Sequence, residues 1–284
     1  MIALPSAPAP AMDRYVVVGN PVAHSLSPRI HAAFAAQLGE AMRYEAVEAP
    51  LDGFEATLRA LLEDGLAGAN VTVPFKGEAA AFADVVDAAA ARAGAVNTLR
   101  READGSVSGF NTDGAGLVRD LAGNLGVALR GARVVLLGAG GAAAGVVEPL
   151  LAAGVADLAI WNRTAARAEA LVERFGALGP VRSVGDGQTL VADLVVNATA
   201  ASLAGDLPAG APEAVGAGTF AYDMMYGPPA RAFLDRARAR GAAGTADGLG
   251  MLVEQAAEAF ALWRGRRPDT APVLADLRAG TAPT

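Results

Sequence analysis

The sequence predicts an α/β protein of two domains, each built on a mainly parallel sheet. Short runs of β-branched and apolar residues alternate along the chain with longer stretches in which apolar residues recur every three to four positions. This alternation is typical of βαβ units. A length of 284 residues suits roughly two domains, and the 53% of hydrophobic residues can fill their cores.

The predicted elements follow one another without a long gap. Apolar and β-branched runs predict the strands, and amphipathic stretches bounded by Ser, Gly or Pro predict the helices. In the first half we expect strands at residues 15–18, 43–47 and 68–73 and helices at 27–38, 54–64 and 78–93, the first with Ser27 as its N-cap. In the second half we expect strands at residues 133–137, 157–161, 194–197 and 219–223 and helices at 114–121, 142–153, 167–175, 230–240 and 249–264. The two halves join near residues 111–116.

Composition narrows the class of partner. A formal charge of −7 and a pI near 4.9, with no block of basic residues longer than a pair, argue against nucleic acid and anionic membranes as partners. The chain has no cysteine, which excludes disulfides and thiolate chemistry, and its two histidines leave little for a metal site. We therefore expect a small-molecule ligand and no metal.

The ends of the chain and its apolar runs indicate no membrane segment. The longest uncharged apolar stretch, residues 134–147, is about 14 residues long and too short to span a bilayer. The first twelve residues, MIALPSAPAPAM, have no basic segment and contain three prolines, so we interpret them as a frayed leader and not as a signal peptide. These features predict a cytoplasmic protein.

A glycine motif between a strand and a helix predicts a dinucleotide site. Gly138, Gly140 and Ala143 match G-x-G-x-x-A, in which the first glycine makes the turn, the second lets the backbone approach a pyrophosphate, and the small third residue permits close packing. A bare match in an Ala- and Gly-rich chain can be a tight turn alone, but here the flanking strand and helix meet the context that the motif requires. The predicted cofactor loop comprises Gly138, Ala139, Gly140, Gly141 and Ala142.

The segment WNRTAAR, after the next predicted strand, indicates which dinucleotide. An NAD site would place an acidic residue at the end of that strand, whereas Asp157 lies at its start. Guanidinium groups suit the 2′-phosphate of NADP(H), so we predict that cofactor. The alternative is a solvated helix start, although arginine there is unfavourable against the helix dipole. The predicted NADP(H) contacts are Asn162, Arg163, Thr164 and Arg167.

The chain contains 23 basic residues, and Lys76 is the one lysine among them. Lysine can give up its proton when its surroundings lower its pKa, whereas a guanidinium stays protonated. A hydride acceptor needs a proton source beside its carbonyl, so we predict that Lys76 supplies that proton and that Asp113 orients it. The alternative is a lysine retained by chance at a surface helix start.

Scarce polar residues gather at the predicted strand ends. The chain has only seven Asn and seven Ser, yet four short segments hold Ser25, Ser27, Asn70, Thr72, Asn97, Asn111 and Asp113. Loops that follow parallel strands meet at one edge of the sheet, where such a ring suits a small polyhydroxylated or carboxylated ligand. Turn formation and helix capping explain the individual residues equally well.

Taken together, these segments resemble the shikimate dehydrogenase family across residues 14–280. The motifs are GNPVAHSLSP, GANVTVPFK, GAVNT, NTDG, GAGGAA, NRT, YDMMY and ADGLGMLVEQAAEAF, in the order and spacing of the family. The resemblance implies reversible reduction of 3-dehydroshikimate to shikimate by NADPH, without a metal, in aromatic amino acid (chorismate) biosynthesis. It also implies a monomer or homodimer.

The resemblance implies residue roles and domain limits. Lys76 and Asp113 would be the catalytic pair. The substrate would be bound by Ser25, Ser27, Asn70, Thr72, Asn97, Tyr226 and Gln255, and Gly248 and Met251 would lie near the nicotinamide. Residues 1–112 and 249–284 would form the substrate domain, and residues 113–248 the NADP-binding Rossmann domain.

Three departures from the family pattern and three alternatives accompany this interpretation. NATAAS (residues 197–202) replaces the usual N-A-T-S-S-G, Arg231 replaces a common threonine, and the leader has no counterpart. The alternatives are a quinate or aminoshikimate dehydrogenase, a folate-linked methylene dehydrogenase, and an NADPH-sensing module without catalysis. The serine pair and NTDG favour a shikimate dehydrogenase over the folate enzyme, and the presence of both Lys76 and Asp113 favours it over the sensor.

Overall fold

The computed structural model describes residues 12–199, 201 and 209–281. Residues 1–11 of the leader, and Ala200 and Ser202 of the NATAAS segment, lie outside the described residues. The described part of the chain folds as two sheets flanked by helices. The α/β fold class is thereby confirmed.

Strands and helices alternate through most of the described chain. The strands are β1 Asp13–Gly19, β2 Met42–Glu48, β3 Leu66–Val71, β4 Val85–Val86, β5 Thr98–Arg101, β6 Val107–Phe110, β7 Arg133–Leu137, β8 Asp157–Trp161, β9 Val181–Ser183, β10 Leu194–Asn197, β11 Phe220–Asp223 and β12 Gly244–Asp247. The helices are α1 Ser27–Leu38, α2 Phe54–Glu63, α3 Lys76–Phe82, α4 Ala88–Ala93, α5 Asp113–Arg119, α6 Gly141–Ala152, α7 Ala165–Phe175, α8 Arg231–Ala239, α9 Leu249–Arg264 and α10 Ala271–Thr281. A π-helical turn, Asp120–Asn124, continues α5.

The first sheet has the order β2-β1-β3-β5-β6-β4. Its pairs β1–β2, β1–β3 and β4–β6 are parallel, whereas β5 pairs antiparallel with both β3 and β6. Alternate residues of β1, Val16 and Val18, are buried in a core with Phe54 and Phe75. A separate core joins α1, α9 and α10, so helices cover both faces of this sheet.

The second sheet is parallel throughout, with the order β12-β11-β10-β7-β8-β9. Its central strands are continuous apolar runs, as expected where both faces are buried. Leu136 and Val196 pack against α6 on one face, and Val135 and Val195 pack against α8 on the other. The reversal of strand order between β7 and β10 places a crevice at the carboxyl end of β7.

Helix α5 links the two sheets, and glycines allow its close packing. A Cβ at Gly114 would lie 2.5 Å from the carbonyl oxygen of Gly145 in α6. A Cβ at Gly116 would lie 2.8 Å from the backbone nitrogen of Gln255 in α9. Larger residues would force the helices apart, so Gly114 sets the close approach of α5 to α6 and Gly116 that of α5 to α9.

The single helix predicted at residues 78–93 is wrong. The chain instead forms α3, the short strand β4 and α4. The Asp84 carboxylate accepts a hydrogen bond from the Val107 amide at 2.8 Å, and the Asp87 carboxylate caps α4 by accepting from the Ala90 amide at 2.8 Å. Both carboxylates compete with helix continuation, because short acidic side chains favour caps and turns over helix interiors.

The antiparallel hairpin β5–β6 was not predicted, and it makes the first sheet mixed. Its turn contains Asp104 and Gly105, with Gly105 at a φ of 89° and the Asp104 carboxylate accepting from the Ser106 amide at 3.0 Å. Asp-Gly between two alternating stretches is a hairpin signal that could have been used. Strands β9 and β12 and helix α10 were also missed.

Ser27 is not the N-cap of α1. The helix begins at Ser27 itself, after Leu26, and no side chain caps it within the described residues. The Ser27 amide donates to Oγ of Ser25 at 3.2 Å, so the earlier serine satisfies this donor. The Ser27 side chain is buried and is left for a contact other than capping.

Candidate functional site

The candidate site lies at one edge of the first sheet, where several strands end or begin together. β3 ends after Asn70, the antiparallel β5 begins after Asn97, and β6 ends shortly before Asp113. Because β5 runs in the opposite direction, its start lies at the same edge as the carboxyl ends of its neighbours. This topology gathers residues that are far apart in sequence.

Lys76 and Asp113 form an ion pair at this edge. Nζ of Lys76 donates to Oδ2 of Asp113 at 2.5 Å, and the two side chains are 16% and 8% exposed. Each residue is the first of a short helix, α3 or α5. A buried pair with one face open to a cleft can exchange a proton with a bound ligand while its charge stays balanced.

Asp113 is oriented by further hydrogen bonds. Its Oδ1 accepts from Nδ2 of Asn97 at 2.8 Å, and its amide donates to Oδ1 of Asn111 at 3.0 Å. Oδ1 of Asn97 accepts from the Thr112 amide at 2.8 Å. The carboxylate is therefore fixed from both sides, with one oxygen on Asn97 and the other on Lys76.

Gln255 joins this network from α9. Its Oε1 accepts from Nδ2 of Asn97 at 3.4 Å and from Oγ1 of Thr112 at 3.3 Å, and its Nε2 donates to the Leu252 carbonyl at 2.9 Å. One amide hydrogen of Gln255 stays available to a ligand, since a primary amide has two. Thr112 was not predicted to contribute, although it lies inside the NTDG motif.

Asn70 is held by three partners. Its Nδ2 donates to the carbonyl of Asn97 at 3.2 Å and to Oγ1 of Thr98 at 3.0 Å, and its Oδ1 accepts from the hydroxyl of Tyr44 at 2.7 Å. The carbonyl of Asn97 can only accept, which fixes the orientation of the Asn70 amide. Both donors of Asn70 are used, so its remaining capacity toward a ligand is to accept a hydrogen bond at Oδ1.

The serine segment lies beside Tyr44 and Tyr226. The Ser27 side chain is close to the Tyr44 hydroxyl, and the Leu26 backbone is close to the Tyr226 hydroxyl. Burial raises the pKa of Tyr226, so its hydroxyl stays protonated and can donate. Ser25 is partly exposed, as a group that meets a ligand should be.

Thr72 lies against the first strand of the sheet. Its amide donates to the Val18 carbonyl at 2.9 Å. A Cβ at Gly19 would stand 2.3 Å from the Thr72 methyl carbon, so only glycine fits there and Thr72 is held closely. Hydrogen bonds thus join Asn70, Asn97 and Gln255 to the Lys76–Asp113 pair at one sheet edge. Thr72 follows β3 at the same edge.

The predicted cofactor loop lies at the carboxyl end of β7 in the second sheet. Gly138 has a φ of 111°, and a Cβ there would come within 3.0 Å of the Ala198 carbonyl, so glycine is required. Gly140 precedes α6, and a Cβ on it would meet nothing within 4 Å, which leaves the space beyond the loop open. Ala143 is fully buried.

The first turn of α6 offers backbone donors to an anion. Among the described residues no side chain caps this helix, whose first residues are Gly141 and Ala142. The Ala139 amide donates to Oδ1 of Asn162 at 3.2 Å, which ties the loop to the end of β8. Uncapped amides at the start of a twelve-residue helix suit a pyrophosphate.

The residues after β8 present positive charge to solvent. Arg163, Thr164 and Arg167 are exposed, and neither arginine makes an ion pair with any described residue. Asp157 lies at the start of β8, where it pairs with Arg182 at 2.8 Å. It is therefore too far from the end of β8 to bind the ribose of a dinucleotide held there. The donor set therefore fits a 2′-phosphate and not a 2′-hydroxyl.

Gly248 and Met251 lie where α9 begins. A Cβ at Gly248 would stand 2.2 Å from the Met224 carbonyl oxygen, so the entry into α9 requires glycine. Met251 is buried against the core of the second sheet, and its backbone lies beside the Tyr222 hydroxyl. The Tyr222 hydroxyl donates to Oδ2 of Asp120 at 2.8 Å.

Asp120 is a fully buried carboxyl that sequence reasoning missed. Besides Tyr222, its Oδ1 accepts from Nδ2 of Asn124 at 3.0 Å. Burial raises the pKa of Asp120, and these two donors oppose that effect. The Asp120 side chain packs between the π-helical turn and the first turn of α9, close to Met251.

Three family models match the chain in order. One described as the shikimate dehydrogenase substrate binding domain matches residues 17–99, one described as shikimate / quinate 5-dehydrogenase matches residues 120–204, and one described as the shikimate 5'-dehydrogenase C-terminal domain matches residues 248–278. The chain is 57% identical over 270 residues to the shikimate dehydrogenase (NADP(+)) of Thioalkalivibrio sulfidiphilus, covering 94% of this chain and 98% of that relative. The chain belongs to the shikimate dehydrogenase family.

Other members of the shikimate dehydrogenase family agree. The shikimate dehydrogenase (NADP(+)) of Hahella chejuensis is 53% identical over 271 residues, covering 95% of this chain and all of that relative. The crystal structure of shikimate 5-dehydrogenase from Thermus thermophilus, in complex with NADP(H) and shikimate, is 38% identical, with a TM-score of 0.82 and coverage of 94% of this chain and 99% of that chain. The family assignment made from the motifs is confirmed.

Among the described residues, no helix is long and apolar enough to cross a membrane. The same residues include no group of three or more His, Cys, Asp or Glu that could hold a metal ion.

Proposed function

We propose that this protein catalyses the reversible, NADP(H)-dependent reduction of 3-dehydroshikimate to shikimate in the biosynthesis of aromatic amino acids. One observation carries the proposal: the largely buried Lys76–Asp113 ion pair lies at the sheet edge within a network of amide and hydroxyl groups. The open loop after β7 and the uncapped start of α6 support a dinucleotide site in the same protein.

The proposed substrate contacts follow from the donors and acceptors that stay available. Ser25, Ser27 and Tyr226 carry hydroxyls that can donate to the carboxylate of the substrate. Gln255 has a spare amide hydrogen, and Asn70 a spare acceptor, for ring hydroxyls. Thr72 and Asn97 complete the predicted set of substrate contacts. Both amide hydrogens of Asn97 are engaged by the protein, so it acts mainly by holding Asp113 and Gln255.

The proton transfer is assigned to Lys76. When bound, NADPH supplies a hydride to the ring carbonyl carbon. The carbonyl oxygen then takes a proton from the Lys76 ammonium, and the neutral amine is reprotonated from solvent. Asp113 keeps Nζ in place through its 2.5 Å hydrogen bond and balances the charge while the alkoxide forms. The reverse reaction uses the neutral amine as a base.

We assign NADP(H) binding to the residues of the second sheet. The loop Gly138–Ala142 and the start of α6 would hold the pyrophosphate, and Asn162, Arg163, Thr164 and Arg167 the 2′-phosphate. Gly248 and Met251 would border the nicotinamide. Residues 1–112 and 249–284 would form the substrate domain and residues 113–248 the NADP domain, a division that the two sheets support. The cytoplasmic location and the monomeric or homodimeric state stay predictions.

The test is the oxidation of shikimate, followed by the absorbance of NADPH, for the wild type, Lys76→Ala, Lys76→Arg and Arg133→Ala. We expect both Lys76 variants to lose about 10²- to 10⁴-fold in kcat while NADP(H) binding is kept. Lys76→Arg fails as well because a guanidinium holds its proton. Arg133 also pairs with an aspartate, Asp193, at 2.7 Å but far from the site, so its removal should leave kcat unchanged.

Two results would overturn this proposal. The wild type could bind NADPH tightly and turn over neither shikimate nor quinate, which would leave a sensor. Alternatively, quinate could be used with a higher kcat/KM than shikimate, which would indicate the quinate dehydrogenase.

A further inference from the structure

Tyr44, on the edge strand β2, holds Asn70, a proposed substrate residue on a different strand, and lies beside Ser27. Its hydroxyl donates to Oδ1 of Asn70 at 2.7 Å, and the Ser27 side chain lies beside it. The residue keeps part of its surface exposed at the sheet edge, but the phenol oxygen is enclosed by these partners.

The ring of Tyr44 is held in place by aromatic stacking. It lies on the ring of His31, with the centroids 4.2 Å apart and the planes 9° apart, and Trp263 lies 6.2 Å away. His31 is fully buried one helical turn after Ser27. The ring nitrogens of His31 have no hydrogen-bond partner among the described residues. His31 therefore acts as a flat packing surface, and Tyr44 is left with little freedom to rotate.

The contacts of Tyr44 determine what Asn70 can offer to a ligand. Both amide hydrogens of Asn70 are taken by Asn97 and Thr98, and one lone pair of Oδ1 is taken by Tyr44. What remains is a single acceptor position in a fixed direction. A ring hydroxyl that donates fits this position, whereas a ketone or an ether oxygen does not.

We infer that Tyr44 is a positioning residue for substrate binding: it fixes the direction of the Asn70 acceptor, and so sets affinity for a substrate that has a ring hydroxyl. This inference rests on the proposed function. Tyr44 makes no contact with Lys76 or Asp113 among the described residues, so the proton-transfer step does not depend on it.

The test compares Tyr44→Phe with Tyr15→Phe. Tyr15 is the register partner of Tyr44 on the neighbouring strand, is also a tyrosine and more deeply buried, and has its hydroxyl beside Arg264, away from the site. Loss of the Tyr44 hydroxyl should raise the KM for shikimate about fivefold, the effect of one hydrogen bond. The kcat and the KM for NADP should stay within about twofold, and Tyr15→Phe should change none of the three.

A double-variant experiment tests whether Tyr44 acts through Asn70. If it does, Tyr44→Phe should raise KM less in an Asn70→Ala background than in the wild type, because the shared hydrogen bond is already lost. Multiplicative effects would overturn the inference, as would an unchanged shikimate KM in Tyr44→Phe or a loss confined to kcat. A wild type that neither oxidises nor binds shikimate would overturn the proposed function and this inference with it. An active wild type with an unaffected Tyr44→Phe would overturn the inference alone.

Discussion

His31→Phe should reduce the pH dependence of stability between neutral and mildly acidic conditions. His31 is fully buried, and burial lowers its pKa from 6.5 to about 3, so the folded protein holds it neutral. In the unfolded chain the same ring takes up a proton below pH 6.5. A group whose folded pKa is depressed below its unfolded pKa destabilises the fold progressively as pH falls through the interval between the two values.

The size of the effect follows from the two pKa values. Between pH 7 and pH 5 the unfolded state gains an increasing advantage from protonating His31, whereas the folded state does not titrate. Integration over this interval gives a loss of about 2 kcal/mol from the free energy of unfolding. Phenylalanine keeps the flat ring that stacks on Tyr44 and has no proton to take up, so the loss should be absent in the variant.

The assay is urea-induced unfolding of the wild type and His31→Phe at pH 7 and pH 5, with the difference between the two proteins taken at each pH. Other titrating groups, such as Asp193, whose pKa is held at about 2 mainly by its hydrogen bond with Arg133, contribute equally to both proteins and cancel. The phenylalanine protein should gain about 2 kcal/mol relative to the wild type on going to pH 5. An equal loss of stability in both proteins would refute a neutral, buried His31.

Two further predictions concern the packing of α9 and the cofactor site. Gly250→Ala should destabilise the protein by about 1–3 kcal/mol, because a Cβ would stand 1.9 Å from Oδ1 of the buried Asp120. The control Gly123→Ala should not destabilise it, because a Cβ there would meet nothing within 4 Å. Thermal unfolding measures the stability of both variants. An effect equal in the two variants would contradict this packing. Arg163→Gln should raise the KM for NADP about tenfold, because a charge-assisted contact with the 2′-phosphate is lost, and leave the KM for NAD unchanged in steady-state assays. A parallel rise for both cofactors would show that Arg163 does not read the phosphate.

The second sheet was predicted closely because its strands are short apolar runs with clear ends. Strands Arg133–Leu137, Asp157–Trp161 and Leu194–Asn197, and helix Leu249–Arg264, have the predicted bounds. Strands buried on both faces need no polar alternation, so hydrophobicity alone locates them. The edge strands β9 and β12 are only partly buried and carry a weaker signal.

The first sheet was predicted less well because two of its strands, β5 and β6, are partly polar. In these strands Arg101 is exposed and Arg100 and Ser108 are half-buried, and the hairpin has no long apolar run to reveal it. In the segment after Lys76, local helix propensity favoured one helix, but Asp84 and Asp87 divide it, the former through contact with a strand more than twenty residues away. Tertiary contacts of this kind are not visible in a local pattern.

The candidate site could be predicted only where its residues belong to recognisable motifs. Lys76 and Asp113 lie in two such segments, and the structure brings them into contact. Tyr44, His31 and Asp120 were missed because each acts through partners on other elements, and no motif marks them. Lys76 could be singled out because it is the one lysine in the chain. Nothing comparable in the sequence marks an aromatic or acidic residue that the fold buries.

The Lys76–Asp113 pair also makes the protein unusual toward amine-directed reagents. Apart from the terminal amine of the chain, Lys76 carries the one primary amine in the sequence, and its side chain is only 16% exposed, at the mouth of the cleft. Acylating or reductively alkylating reagents therefore have a single side-chain target, and a ligand in the cleft would shield it. A single mass increment on one peptide would then report occupancy of the candidate site without any turnover, and surface immobilisation through lysine would attach the protein by that site.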